Sequence, residues 1–112
     1  MQISTETFGQ VLVAHTPDEL TEDTAAAFFD ALGGPVASGH VRIVLQMDRS
    51  DVFDSSGLTA LLDFHESLKR SGGNLKISGL ADHARKIFEV TRLDQRIDVF
   101  GSVIDAVASF NW

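Results

Sequence analysis

The sequence contains no cysteine. That absence excludes a disulfide framework and any metal site built on thiolates. Basic residues are scarce: nine Lys and Arg stand against sixteen Asp and Glu, giving a formal net charge of −7. Such a chain repels phosphate backbones. Its one local basic cluster, Arg85, Lys86, Arg92 and Arg96, is interleaved with acids, so nucleic acid is not expected as a partner. The same charge disfavours docking on an anionic membrane. No apolar run approaches the ~20 residues needed to span a bilayer, so direct membrane insertion is not expected either. The opening "MQISTETFGQ" lacks the basic flank and apolar core of a secretory signal. A cytoplasmic protein is therefore expected. Internal repeats, linkers and low-complexity tracts are also missing.

What is present fits one globular domain over residues 1–112, with 44% hydrophobic residues, 22% charged residues and eight Phe to fill a core. "QISTETFG" and "QVLVAHT" read as two short strands turning at Gly9–Gln10. "PDELTEDTAAAFFDALGGP" reads as a helix. Thr21 or Thr24 is its cap, Glu22 and Asp23 suit its positive first turn, and Gly33–Gly34–Pro35 is expected to stop it. "VRIVLQM" (41–47) is a nearly continuous apolar run, the pattern of a strand buried on both faces. From Leu58 the apolar residues fall at helical spacing until Gly72–Gly73. "NLKISG" and "RIDVFG" read as strands, "DHARKIFEVTRL" as a helix capped by its Asp, and "SVIDAVASF" as a closing helix capped by Ser102. This order predicts an α/β fold: a mixed, mostly parallel β-sheet that opens with a hairpin and alternates with about four helices.

Loops leaving the carboxyl ends of parallel strands share one edge of a sheet. Residues 17–24, 48–56 and 80–83 are therefore expected side by side, gathering Asp18, Glu19, Glu22, Asp23, Asp48, Asp51, Asp54 and Asp82. Within that acidic edge lies Asp54-Ser55-Ser56-Gly57 at the start of a helix. Capping accounts for Asp54 or Ser55, but not for Ser56. Gly57 costs helix stability by ~1 kcal/mol against Ala, and its lack of bulk is expected to leave the Ser56 hydroxyl open to an approaching molecule. Three chemistries could use that hydroxyl. Nucleophilic catalysis has little support: G-x-S-x-G is absent, and only His83 among the four histidines falls in a loop at this edge. Phosphate-ligand binding at the helix N-terminus lacks a Gly-rich loop or a Lys. Covalent phosphorylation would add about −1.5 to −2 charge, which the helix end tolerates and the neighbouring acids oppose. Elsewhere, His65 is expected to pack on its helix, and Asp82 and His83 to cap a helix or touch a partner. The acids at 18–23 lack the spacing of a metal loop, so no metal or cofactor is expected.

At this point the residues resemble a known family. "VRIVLQMDRSDVFDSSGLTALL" is similar to the signature of the STAS domain (sulfate transporter and anti-sigma factor antagonist), in its stand-alone bacterial anti-sigma factor antagonist form. "SLKRSGGNLKISGLADHARKIFEVTRLDQRIDVFGSVIDAV" resembles the second half of that family, and the match runs over roughly residues 10–110. The resemblance implies a non-catalytic protein that binds an anti-sigma factor, itself a serine kinase using ATP and Mg²⁺. Binding frees the sigma factor. Phosphorylation of the second motif serine, here Ser56, releases the complex, and a metal-dependent serine phosphatase restores it. Asp54, Ser55, Ser56 and Gly57 would form the docking surface with Glu19, Leu20, Thr21, Asp82 and His83. Where the family often has G-E-L-D, this chain has Asp18-Glu19-Leu20-Thr21. The alternative within the same fold is an accessory subunit of a lipid or solute ABC transporter.

Overall fold

The computed structural model describes residues 3–110. A hairpin of β1 (Thr5–Phe8) and β2 (Val11–His15) leads through a two-residue strand β3 (Glu19–Leu20) into α1 (Glu22–Ala37). Then follow β4 (Arg42–Gln46), β5 (Val52–Phe53), α2 (Ser55–Arg70), β6 (Asn74–Ser78), α3 (Asp82–Val90), a 3₁₀ turn (Leu93–Gln95), β7 (Val99–Phe100) and α4 (Val103–Ala108). The main sheet has the order β1-β2-β4-β6-β7, antiparallel only between β1 and β2. The α/β expectation, a mostly parallel sheet opening on a hairpin with four helices, is the fold observed.

Alternation along the strands sorts the core into two layers. Leu12, Ala14, Ile43, Leu45, Leu75 and Ile77 point to the face covered by α1, α2 and α3, where Phe28, Leu32, Leu61, Leu68 and Phe88 meet them. Val11, Val13 and Val44 point the other way, under Ala106 of α4 and Phe110 just beyond it. Each fully buried side chain of this size contributes roughly 1.5–3 kcal/mol relative to exposure, so the larger layer dominates stability.

Three local expectations fail. Gly33–Gly34–Pro35 does not stop α1, which runs on to Ala37. Pro35 forfeits only one backbone bond in the last turn, and the real stop is Gly39, at φ +100. Asp82 does not cap α3: it is the first helical residue, and Ala81 holds the cap position without a side-chain bond. The strand expected in "RIDVFG" shrinks to Val99–Phe100. The short parallel pair β3–β5, with Glu19 opposite Val52 and Leu20 opposite Phe53, has too few residues to show a period in sequence. That pair brings the start of α1 against the start of α2.

Candidate functional site

The three loops predicted to converge are tied together by hydrogen bonds. The Asp51 amide donates to the Asp18 carbonyl at 3.0 Å. The His83 ring donates from Nε2 to the Asp51 carbonyl at 2.7 Å, so α3 is strapped to the same loop. Ser50, fully buried, donates to the Pro17 carbonyl at 2.5 Å and lies 2.6 Å from the Thr16 hydroxyl. The eight acids named above are all exposed along this edge.

Asp54 is the centre of the arrangement. It caps α2, where its Oδ1 accepts the Gly57 amide at 2.8 Å, while Oδ2 accepts the Glu22 amide at the start of α1 at 3.0 Å. One carboxylate therefore serves two helix N-termini, where unpaired amides and the helix dipole both favour a negative charge. The backbone bond from Glu22, then that from Gly57, holds its carboxyl below the ordinary value of 3.8. Thr21 holds the cap position of α1; its amide donates to the Thr24 hydroxyl, which in turn donates to the Glu19 carbonyl.

With Asp54 as the cap, both serines are released from that duty. Ser55 and Ser56 are exposed, and neither side chain makes a hydrogen bond among the described residues. Successive helical residues differ by about 100° in direction, so the two hydroxyls face different surfaces. Ser55 lies on a shallow groove of about 230 Å³, shared with Leu58, Thr59 and Leu62 of α2 and with Thr91 and Leu93. Ser56 opens onto an adjoining depression of about 320 Å³, lined also by Ala60 and Asp63, with Ser55 and Thr59 bordering both.

Two of the proposed contact residues are not surface. Leu20 is completely buried in the main core, and Gly57 is buried as well. Gly57 does not clear space for a visitor. A methyl carbon there would lie 1.8 Å from the Leu20 carbonyl oxygen, so glycine lets α2 close against β3. Glu19, Asp82 and His83 remain exposed, and Thr21 is half-buried. Of these, His83 already spends a ring N–H on Asp51. Sequence reasoning missed Ser50, for which no pattern distinguishes a buried serine from a loop serine. It also missed Thr59 and Asp63, which the helical period places beside Ser56.

His65 is buried on the inner side of α2. Burial first, then the neighbouring Lys69 charge, pushes its imidazole below the ordinary 6.5. The buried ring is a packing group, as expected. Among the described residues no cluster of His, Asp and Glu has the arrangement of a metal site, and no helix is long and apolar enough to cross a membrane.

BtrV of Bordetella bronchiseptica, named as a candidate anti-sigma factor antagonist, is 26% identical over 110 residues, covering 98% of this chain and 95% of BtrV. A solved candidate anti-sigma factor antagonist from Thermotoga maritima superposes with a TM-score of 0.87 at 17% identity, covering 96% of this chain and 92% of that one. The Bacillus cell fate determinant SpoIIAA, solved in its phosphorylated form, gives a TM-score of 0.71 at 17% identity over 98% of this chain and 100% of its own. At such identities the two structures speak for the fold. The STAS domain model matches residues 2–106, nearly the whole length, and the chain belongs to the STAS domain family.

Proposed function

We propose that this protein is a non-catalytic anti-sigma factor antagonist. It binds an anti-sigma factor serine kinase through its acidic edge while Ser56 is free, and it is released when Ser56 is phosphorylated. The observation that carries this reading is the division of labour in the motif. Asp54 alone caps the helix, leaving Ser56 exposed and without a structural bond. The name given to BtrV and the existence of a phosphorylated form of SpoIIAA lend it support.

The physics of the switch is local. In the kinase reaction the Ser56 oxygen would bond to the γ-phosphorus of ATP as the bond to ADP breaks, with the hydroxyl proton passing to a base of the kinase. The phosphate brings about −1.5 to −2 charge. The start of α2 tolerates it, so the fold survives. Asp54 and Asp63 on the same surface turn a dockable face into a repelling one. The groove beside Ser55, with Leu58 and Leu62, supplies apolar contact for a partner, and a phosphate beside it would have to be stripped of water before that contact could form.

The test is to incubate the protein with the anti-sigma factor kinase and ATP·Mg²⁺, then measure intact mass and map the peptides. One phosphoryl group on Ser56, absent in Ser56→Ala and removed by a serine phosphatase, is expected. Binding of Ser56→Asp to the kinase should be at least on the order of tenfold weaker than wild type. Equal binding of the two would refute the repulsion mechanism, and modification that persists in Ser56→Ala would move the acceptor elsewhere.

A further inference from the structure

The switch makes no use of Lys76, which is the one lysine the fold hides. It lies on β6 beneath α4, only 7% exposed. Its Nζ donates to the Ser109 hydroxyl at 2.8 Å and to the Ser109 carbonyl at 3.2 Å. It also stands 4.4 Å from the centre of the Phe110 ring and 5.7 Å from that of Phe100. Among the described residues, every group other than Phe100 that holds this ammonium belongs to α4 or to the residues that end it.

We propose that α4 with Ser109 and Phe110 is a latch that opens as a unit while the sheet and α1–α3 stay folded, and that the Lys76 ammonium is its catch. Three observations support independent opening. First, α4 has six residues, far short of the ~12–15 at which an isolated helix becomes even marginal in water. It is helical because it is docked. Second, the forces at the catch oppose one another. The ammonium at a helix C-terminus and over aromatic rings is favourable, but closing the latch strips that charge of water. Opening returns the water, which offsets part of what is lost. Third, the joint is free. Gly101, immediately before the Ser102 cap, is exposed with nothing within 4 Å of where a side chain would begin, and a glycine backbone has a wider range of accessible angles than any other residue. Local opening of such a unit is the low-stability end of a normal folded protein.

Opening bares Val11, Val13 and Val44 and, with them, a primary amine. That makes Lys76 a modification site gated by α4. The amine, once unprotonated, attacks an activated acyl carbonyl. The new C–N amide bond forms, the bond to the leaving alkoxide or thiolate breaks, and the amine proton passes to solvent. The resulting amide has lost the charge and keeps one N–H where the ammonium had three, so it cannot make both bonds to Ser109 that the closed latch uses, and acylation holds α4 off the sheet.

The experiment treats the folded protein with sulfo-N-hydroxysuccinimide acetate. Lys69 and Lys86, both exposed, serve as internal rate standards, and amide hydrogen exchange is followed in parallel. Lys76 is expected to react at least on the order of tenfold more slowly than the two standards. It should still react far faster than the slowest amides of β4 exchange. Phe110→Ala should speed Lys76 labelling by on the order of tenfold or more without changing exchange in α1 and β4. The milder Ser109→Ala, which removes only one acceptor, should give a rise of about two- to fivefold. The proposal is overturned if Lys76 reacts as fast as the standards, because α4 would then not be seated. It is equally overturned if Lys76 labelling keeps pace with β4 exchange in wild type and both variants, because opening would then be global unfolding.

Discussion

Replacing Gly57 by alanine sets two principles in opposition. Helix propensity alone favours the change by ~1 kcal/mol, since Gly57 lies in the first turn of α2. Packing says the reverse. The added carbon would stand 1.8 Å from the Leu20 carbonyl oxygen, 2.5 Å from the Leu20 carbonyl carbon and 3.1 Å from the Thr21 nitrogen. All three are backbone atoms, so no rotamer change relieves the overlap; the start of α2 must lift from β3. Overpacking of this kind costs ~1–3 kcal/mol and sometimes more. The upper end applies here, which leaves a net loss of about 2 kcal/mol after the propensity gain. Urea unfolding followed by far-ultraviolet circular dichroism should show a midpoint about 1–2 M below wild type with an unchanged slope. A midpoint equal to or above that of wild type would mean that α2 and β3 are not in contact as described. The packing argument would then be wrong.

Gly33→Ala and Gly34→Ala are the complementary case: both positions are helical with nothing within 4 Å, so each should raise stability by ~0.5–1 kcal/mol in the same assay. Among the described residues, Arg92 is the non-glycine residue in the left-handed region, at φ 61, and Arg92→Gly should stabilise by up to about 1 kcal/mol; a loss would show that its side chain contributes more than its backbone costs. Asp54 titrates below its ordinary 3.8 in the fold. Its contribution is complete above that value and is lost as pH falls through the depressed one, so Asp54→Asn should flatten the acid limb of stability against pH. His65, held below 6.5, behaves in the same sense at higher pH. Stability should be full above 6.5 and decline as pH drops toward the lowered value, a decline that His65→Gln should remove in urea midpoints taken between pH 7 and 5.

The sheet and its helices were legible because β2 and β4 are short, nearly continuous apolar runs bounded by turn residues and the helical stripes are long. The convergence of three loops followed from strand direction alone. The misread details were ones in which tertiary contact outvotes local preference. Gly33 and Gly34 look like a stop, yet docking of Phe28 and Leu32 carries α1 through them. Gly57 looks costly in a helix, and sequence offers no way to see that its partner is a carbonyl 37 positions earlier in the chain, on Leu20. Leu20 matched a surface loop by position in a motif, but two residues of parallel pairing with β5 turn it inward. Ser56 was singled out because capping did not require it, and that inference rested on counting donors and acceptors rather than on any long-range contact.

The double grip of Asp54 has a consequence for the enzymes that would act next door. Many kinases draw an extended segment of substrate into a cleft and read the side chains on either side of the acceptor. Here the proposed acceptor, Ser56, sits on a helix; the residue two before it is tied to a second helix, and the residue after it is wedged against a strand. Extending this segment would break both attachments. An enzyme that modifies Ser56 therefore has to meet it in place and recognise a folded epitope, assembled from stretches far apart in the chain. A synthetic peptide spanning residues 48–62 should be a poor substitute for the intact protein, even though it contains every residue of the motif.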